Sequence, residues 1–176
     1  NFTVDWGDGN TAEVTSYNDP DINHTYASAG DYNITISGLV EAWYFNNTGD
    51  KDKIISISEL GTVGWRSFET AFYGCQNLTT VSGGDTSNVT NMAYMFSEAS
   101  NADPYTSNWN TSNVTNMSDM FFGASSLSAT NKGLIETSFS TNANWPYDWS
   151  AFVVTLETGL VGFWKFDEGA ATNVAE

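Results

Sequence analysis

Ser87-Asn-Val-Thr-Asn-Met-Ala-Tyr-Met-Phe96 recurs 25 residues later as Ser112-Asn-Val-Thr-Asn-Met-Ser-Asp-Met-Phe121. A degenerate copy, Trp65-Arg-Ser-Phe-Glu-Thr-Ala-Phe72, lies 24 residues ahead of the first. Periods of this length signal a solenoid, in which each unit buries its apolar side only against its neighbours. Within a unit Val89, Met92, Met95, Phe96 and Ala99 are spaced 3, 3, 1 and 3, and Val114, Met117, Met120, Phe121 and Ala124 repeat the set. That spacing predicts one face of a short helix, with Ser87 or Thr90 as its N-cap. Leu78-Thr-Thr-Val81 predicts a short strand alternating with the helices. Cys75 is in register with Ala99 and Ala124, which marks a small buried site rather than a reactive thiol, and the methionines are core before they are ligands.

Upstream of the repeats, Phe2-Thr-Val-Asp-Trp6 alternates and Gly7-Asp8-Gly9-Asn10 supplies turn chemistry. After a loop at Asn18-Asp-Pro-Asp21 come a strand at His24-Thr-Tyr26 and another at Tyr32-Asn-Ile-Thr-Ile-Ser-Gly38. Tyr32, Ile34 and Ile36 fall on one face of the latter, so residues 1–45 read as half of a β-sandwich. A solenoid of few units needs a cover at each end. The sandwich is expected to cover the first unit, and a helix around Trp145–Val154, with Pro146 near its first turn, to cover the last. Residues 156–176 read as a tail strand with Leu160, Trp164 and Phe166 on one face and nothing obvious beneath that stripe.

Charge narrows the function classes. Five Lys and Arg stand against 21 Asp and Glu, a formal charge of −16. Nucleic acids and anionic membrane surfaces both require a basic footprint, so neither is expected as a partner. Copies of such a chain repel one another unless salt, divalent cations or a specific interface overcome the repulsion. No apolar run approaches the ~20 residues needed to span a bilayer, so no membrane insertion is expected. The chain opens in mid-strand without a signal peptide, as expected where what precedes it has been cut away. With Cys75 as its one cysteine it forms no intrachain disulfide. Asn-X-Ser/Thr acceptors occur at Asn1, Asn23, Asn33, Asn46, Asn77, Asn88, Asn110, Asn113 and Asn116. They number about double what composition alone gives, partly through the repeat, and point to surface glycosylation.

Catalytic constellations are missing from the pattern. His24 is the single histidine and has no nucleophile motif near it, so a structural hydrogen bond is its expected role. No Cys/His cluster suits zinc, and Gly7-Asp8-Gly9 carries an acid that would repel phosphate. Asp5/Asp8, Asp19/Asp21 and Asp50/Asp52 could each give oxygens to calcium. None matches an EF-hand loop; Asp19 and Asp21 are the best candidates, and no other cofactor is expected. Trp43, Tyr44, Tyr105 and Trp109 are the aromatics that could stack on sugars, set against the bulkier expectation that most tryptophans anchor the core.

Val4-Asp-Trp-Gly-Asp-Gly9, His24-Thr-Tyr26 and Gly30-Asp-Tyr-Asn-Ile-Thr-Ile36 together resemble the polycystic-kidney-disease-type (PKD-like) domain, an immunoglobulin-like sandwich of extracellular proteins. It departs from that family in lacking strand material before the Trp-Gly-Asp-Gly turn, which leaves a sheet edge to be covered. The Thr-Ser-Asn-Val-Thr-Asn-Met-x-x-Met-Phe units resemble the BspA-like leucine-rich-repeat surface proteins, also called lipoprotein-associated repeats. Asn131-Lys-Gly-Leu-Ile135 with Asn144-Trp-Pro-Tyr-Asp-Trp149 resembles the segment that closes such repeats. Gly159-Leu-Val-Gly-Phe-Trp-Lys-Phe-Asp-Glu-Gly169 resembles the opening strand of laminin-G/concanavalin-like domains.

These resemblances imply an α+β chain. A partial PKD-like sandwich over residues 1–45 leads into a leucine-rich-repeat-like solenoid of about three 24–25-residue units, with its cap, over 46–155. The tail strand 156–176 follows as a donor strand between subunits. An extracellular or cell-surface location and an adhesive or scaffolding role without catalysis are implied as well. One expectation is a glycosylated subunit of a head-to-tail polymer of copies of itself, joined by strand addition through Leu160, Trp164 and Phe166. The alternative is an adhesin or carbohydrate-binding module of a longer surface protein or secreted enzyme, whose partners are host or cell-surface glycans and proteins.

Overall fold

Alternation in the opening residues forms β1 (Phe2–Asp5) in the computed structural model, which describes residues 1–154. β2 (Thr11–Val14) and β3 (Thr35–Gly38) flank it in the order β2-β1-β3, both antiparallel. Val4 lies opposite Ala12 and Ile36, and Phe2 opposite Val14 and Gly38. Period-2 geometry therefore gathers these apolar residues on one face, where Val4 and Val14 are buried. Thr3, Asp5, Glu13, Thr35 and Ser37 form the other, exposed face. Two details differ from expectation. The last strand begins at Thr35 rather than Tyr32, and His24-Thr-Tyr26 is not a strand. Side-chain bonding explains both: the Tyr26 hydroxyl donates to Trp6 O (3.0 Å) and the Tyr32 hydroxyl to Ser28 O (2.8 Å), which ties this chain by its rings instead of by a ladder.

The repeats are joined in parallel. Isolated bridges link Ala42 to Ser67, Ser67 to Asn91 and Asn91 to Asn116, and β4 (Ser56–Ile57) pairs in parallel with β5 (Thr80–Val81). Each repeat is thus one rung bonded to the next. The expected short helices do not form, and the accounting of backbone donors shows why. Phe68, Thr70, Phe72 and Gly74 donate their N–H groups to Asn91, Ala93, Met95 and Ser97 of the next rung. Met92, Tyr94, Phe96 and Glu98 do the same to Asn116, Ser118, Met120 and Phe122. The intervening Ala71, Tyr73 and Cys75 bond back three residues, as turns do. Left-handed residues punctuate every rung at one position, Thr70, Tyr94 and Asp119, and at a second, Gly74, Glu98 and Gly123. A helix tolerates neither. The apolar spacing of 3, 3, 1 and 3 is therefore the period of consecutive turns.

A further rung precedes the expected first one. Phe45 N–H donates to Ala71 O as Phe72 donates to Met95 and Phe96 to Met120, so Phe45, Phe72, Phe96 and Phe121 hold one position. Ala42 and Phe45 are three residues apart where Ser67 and Phe72 are five, so Phe45 falls out of the fixed period although Ala42, 25 residues before its bridge partner Ser67, keeps it.

Side chains from rungs of this kind make a single core. Phe68, Phe72, Leu78, Val81, Val89, Met92, Met95, Phe96 and Ala99 are at most 1% exposed. Cys75 joins them at 0%, as its register with Ala99 and Ala124 requires.

α1 (Ala129–Phe139) closes the far end, in place of the helix expected at Trp145–Val154. Ser128 caps it by accepting from Asn131 N–H, and is itself held by Asp103 Oδ1 at 2.9 Å. Its inner face is Gly133, Ile135, Glu136 and Phe139, a mixture that carries little apolar signal. A Cβ at Gly133 would run into the Phe152 carbonyl, so this glycine lets the closing segment lie against the helix. Residues 145–149 form neither helix nor strand, and place the rings of Trp145, Tyr147 and Trp149 around Phe121. Only Ser150–Phe152 winds, as one 3-10 turn.

Candidate functional site

An aromatic corner, formed by the turn after β1, holds the residues of the Trp-Gly-Asp-Gly and His-Thr-Tyr motifs. The His24 ring stacks on Trp6 at 5.0 Å and meets the edge of Tyr26 at 4.6 Å. Tyr26 stacks in turn on Tyr32 at 3.9 Å. His24 Nε2 lies 2.8 Å from Asp8 Oδ2, the structural hydrogen bond expected of it. That bond, aided by the Asn10 N–H, holds the Asp8 carboxyl below the usual carboxylate range against the opposing effect of burial.

Asp19 is occupied as a cap. Its Oδ2 accepts from Thr15 N–H (3.0 Å) and Oγ1 (2.8 Å), and its Oδ1 from Asp21 N–H (3.1 Å). These bonds, those from Thr15 and Asp21 N–H foremost, keep its pKa low. A calcium ion on Asp19 and Asp21 would share the Asp19 carboxylate with these hydrogen bonds. Among the described residues no three His, Cys, Asp or Glu side chains converge as a metal site.

Of the four aromatics considered for sugars, Tyr44 is 70% and Tyr105 48% exposed, while Trp43 is half-buried. Trp109 is a core residue, corrected from a surface candidate. It is 4% exposed, its ring lies between Phe68 (5.9 Å) and Phe96 (6.5 Å), and its Nε1 donates to Gly83 O at 2.7 Å.

The glycosylation candidates divide by what their amides do. Asn1, Asn23, Asn33, Asn46, Asn77, Asn88, Asn110 and Asn113 are exposed and Asn116 is half-buried. Asn77 Nδ2 donates to Asp52 O and Asn113 Nδ2 to Ser87 O, each at 2.7 Å. At these two the nitrogen that would carry a glycan already bonds the neighbouring rung.

The two ends of the stack are unequal. At the last rung Phe121 N–H finds the Tyr147 hydroxyl at 2.8 Å, a phenol in the place of the next rung's carbonyl. Trp145, Tyr147 and Trp149 surround the Phe121 ring at 6.4, 6.2 and 5.5 Å. Buried Glu136 holds this cluster, accepting from Trp145 Nε1 (2.8 Å) and Trp149 N–H (3.2 Å). Burial also pushes the Tyr147 hydroxyl up, partly offset by the Phe121 N–H. At the first rung Trp43, Phe45, Ile54 and Ile57 are only half-buried, although Phe2 and Ile36 of the sheet pack against the same core. The sheet covers this end in part. Sequence reasoning missed the rung that carries these residues; the Phe45 N–H bond is what identifies it. Leu160, Trp164 and Phe166, the assembly candidates, lie outside the described residues.

Fold and site define an α+β protein with two sheets, a run of bonded repeats and one α-helix among the described residues. Residues 66–144, just under half of the chain, match the model of a family described as Mycoplasma protein of unknown function, DUF285. The repeats are similar to that family, whose description assigns no activity. No curated protein and no solved structure matches the chain. No helix of the described residues is long and apolar enough to cross a membrane.

Proposed function

We propose that this chain is a non-catalytic structural protein of the cell surface or extracellular space, a subunit of a filament joined head to tail by strand addition. In this reading the repeats are a leucine-rich-repeat-like solenoid and the first 45 residues a partial PKD-like sandwich. The tail of one copy, through Leu160, Trp164 and Phe166, adds to the N-terminal part of the next.

The observation that carries the reading is the inequality of the ends. The C-terminal rung is closed by the chain's own aromatic cluster, whereas the N-terminal part has open places. Both outer edges of the sheet, on β2 and β3, lack a strand partner among the described residues, and Ile34 and Leu39 beside β3 are 48% and 55% exposed. Open edges of this kind accept strands, and a contact between unlike ends propagates. Exposed sequons at Asn1, Asn23, Asn33, Asn88 and Asn110 suit a glycosylated filament surface.

Light scattering of the native material tests this. A multi-megadalton polymer that disperses when Trp164 and Phe166 are both replaced by Asp is the expected result, and a monomeric wild type removes the reading. A second reading, an adhesin or carbohydrate-binding module, draws on the exposure of Tyr44 and Tyr105. Glycan-array binding that disappears in Tyr44→Ala would favour it.

A further inference from the structure

Each rung in this protein needs a neighbour on both sides, and the first rung has one on only one side. Its inward residues show the deficit. Trp43 occupies the position of Phe68, and Phe45 that of Phe72; Ile54 and Ile57 correspond to Leu78 and Val81. The four later residues are at most 1% exposed, yet all four in the first rung remain half-buried.

A side-chain polar group shows the same deficit independently. Trp43 Nε1 is buried and has no acceptor. The indoles of Trp65 and Trp109, by contrast, donate to the carbonyls of Leu60 (2.8 Å) and Gly83 (2.7 Å). An unsatisfied buried donor is costly, so a backbone carbonyl that reaches the Trp43 indole would be favoured. A cleft of ≈ 340 Å³ beside it spans the first and second rungs, lined by Ala42, Trp43, Tyr44 and Asn46 of the first and Ser67, Glu69 and Thr70 of the second.

We infer that this open face of the first rung is the acceptor for the Leu160–Phe166 segment of a neighbouring copy, which lies against it as an added rung. The inference rests on the strand-addition reading and deepens it by moving the junction from the sheet edge to the first rung. The occupant fits on two grounds. Leu160, Trp164 and Phe166 are spaced by even numbers of residues, so that in an extended chain they would share one side, as the half-covered Trp43, Phe45 and Ile57 require. Val154, the last described residue, lies just past the closing cluster on the last rung, at the end opposite the open one, as head-to-tail joining demands. An extended backbone also brings an acceptor of the kind that the Trp43 indole lacks.

Disulfide trapping in the full-length chain distinguishes the two junctions. Tyr44→Cys, at an exposed position of the first rung, and Ser37→Cys, exposed on β3, are each mixed with Lys165→Cys, which leaves the apolar stripe intact. Because the two thiols sit on different molecules, only contacts between copies can be trapped. Cys75, buried with its thiol pushed up to about 12 by desolvation, stays silent. Docking raises the local thiol concentration well above bulk, so the Tyr44/Lys165 pair should form linked dimers about tenfold or more above the Ser37/Lys165 pair. No link at Tyr44 overturns the inference. If the material still polymerises and links through Ser37, strand addition survives at the sheet edge; a monomer that links through neither removes both.

Discussion

Glu98 sits at φ 56 in a position that Gly74 and Gly123 occupy in the neighbouring rungs. A side chain in that left-handed region costs roughly 1–2 kcal/mol, partly offset because glycine loses more freedom on folding. Glu98→Gly is therefore expected to stabilise the protein by roughly 0.5–1 kcal/mol, read as a higher midpoint in urea. Its carboxylate is exposed and makes no described bond that the change would sacrifice. Single residues also set the acid limit. The Asp8 carboxyl, held low chiefly by His24, contributes stability that is full above the unfolded value of about 3.9 and is lost as pH falls through the lower folded value. Asp8→Asn should flatten the acid limb of the Tm–pH curve; an unchanged limb would show that the corner does not depend on this pair. In the sequence the pairing of His24 with the Trp-Gly-Asp-Gly turn was legible in kind, because a lone histidine among aromatics has few other roles. The strain at Glu98 was not, since nothing in the residue itself announces a left-handed backbone.

Elements show where periodicity misleads. Val89, Met92, Met95 and Phe96 have helical spacing, yet consecutive turns bury the same residues, because a turn every three residues and a helix of 3.6 place side chains almost alike over one rung. Which one forms depends on where alternate N–H groups go, and they go to the next rung. At the closing segment, Gly133 and Glu136 sit on the buried face of α1 and weaken its apolar pattern, while the rings of Trp145, Tyr147 and Trp149 suggested a helix they do not form. Tyr147 has a role that only the fold defines: its hydroxyl ends the ladder at Phe121. Tyr147→Phe keeps the ring packing and leaves that N–H without its acceptor, so it should cost about 1–3 kcal/mol in equilibrium unfolding. A variant as stable as the wild type would mean that water replaces the phenol at no cost.

At the scale of the whole molecule, charge opposes assembly. A formal charge of −16 makes copies repel, and screening shortens that repulsion to a Debye length of about 10 Å at 0.1 M salt. Polymer mass measured by light scattering is thus expected to rise with salt between low and moderate ionic strength; polymers that dissolve as salt is added would point to a junction held by ion pairs instead of the apolar stripe. The sequence by itself determined the repeat and its period, the small buried site at Cys75, a strand within Leu78–Val81, of which Thr80–Val81 forms, and the first strand of the sheet. It could do so because each of these depends on residues that recur or alternate locally. Only the tertiary structure decided that the rungs are turns, that a rung with its phenylalanine out of register precedes the recognisable copies, that Trp109 is core, and which helix closes the far end. Those outcomes depend on hydrogen bonds and ring contacts between residues about 25 positions apart, where a backbone donor chooses between its own turn and the next rung.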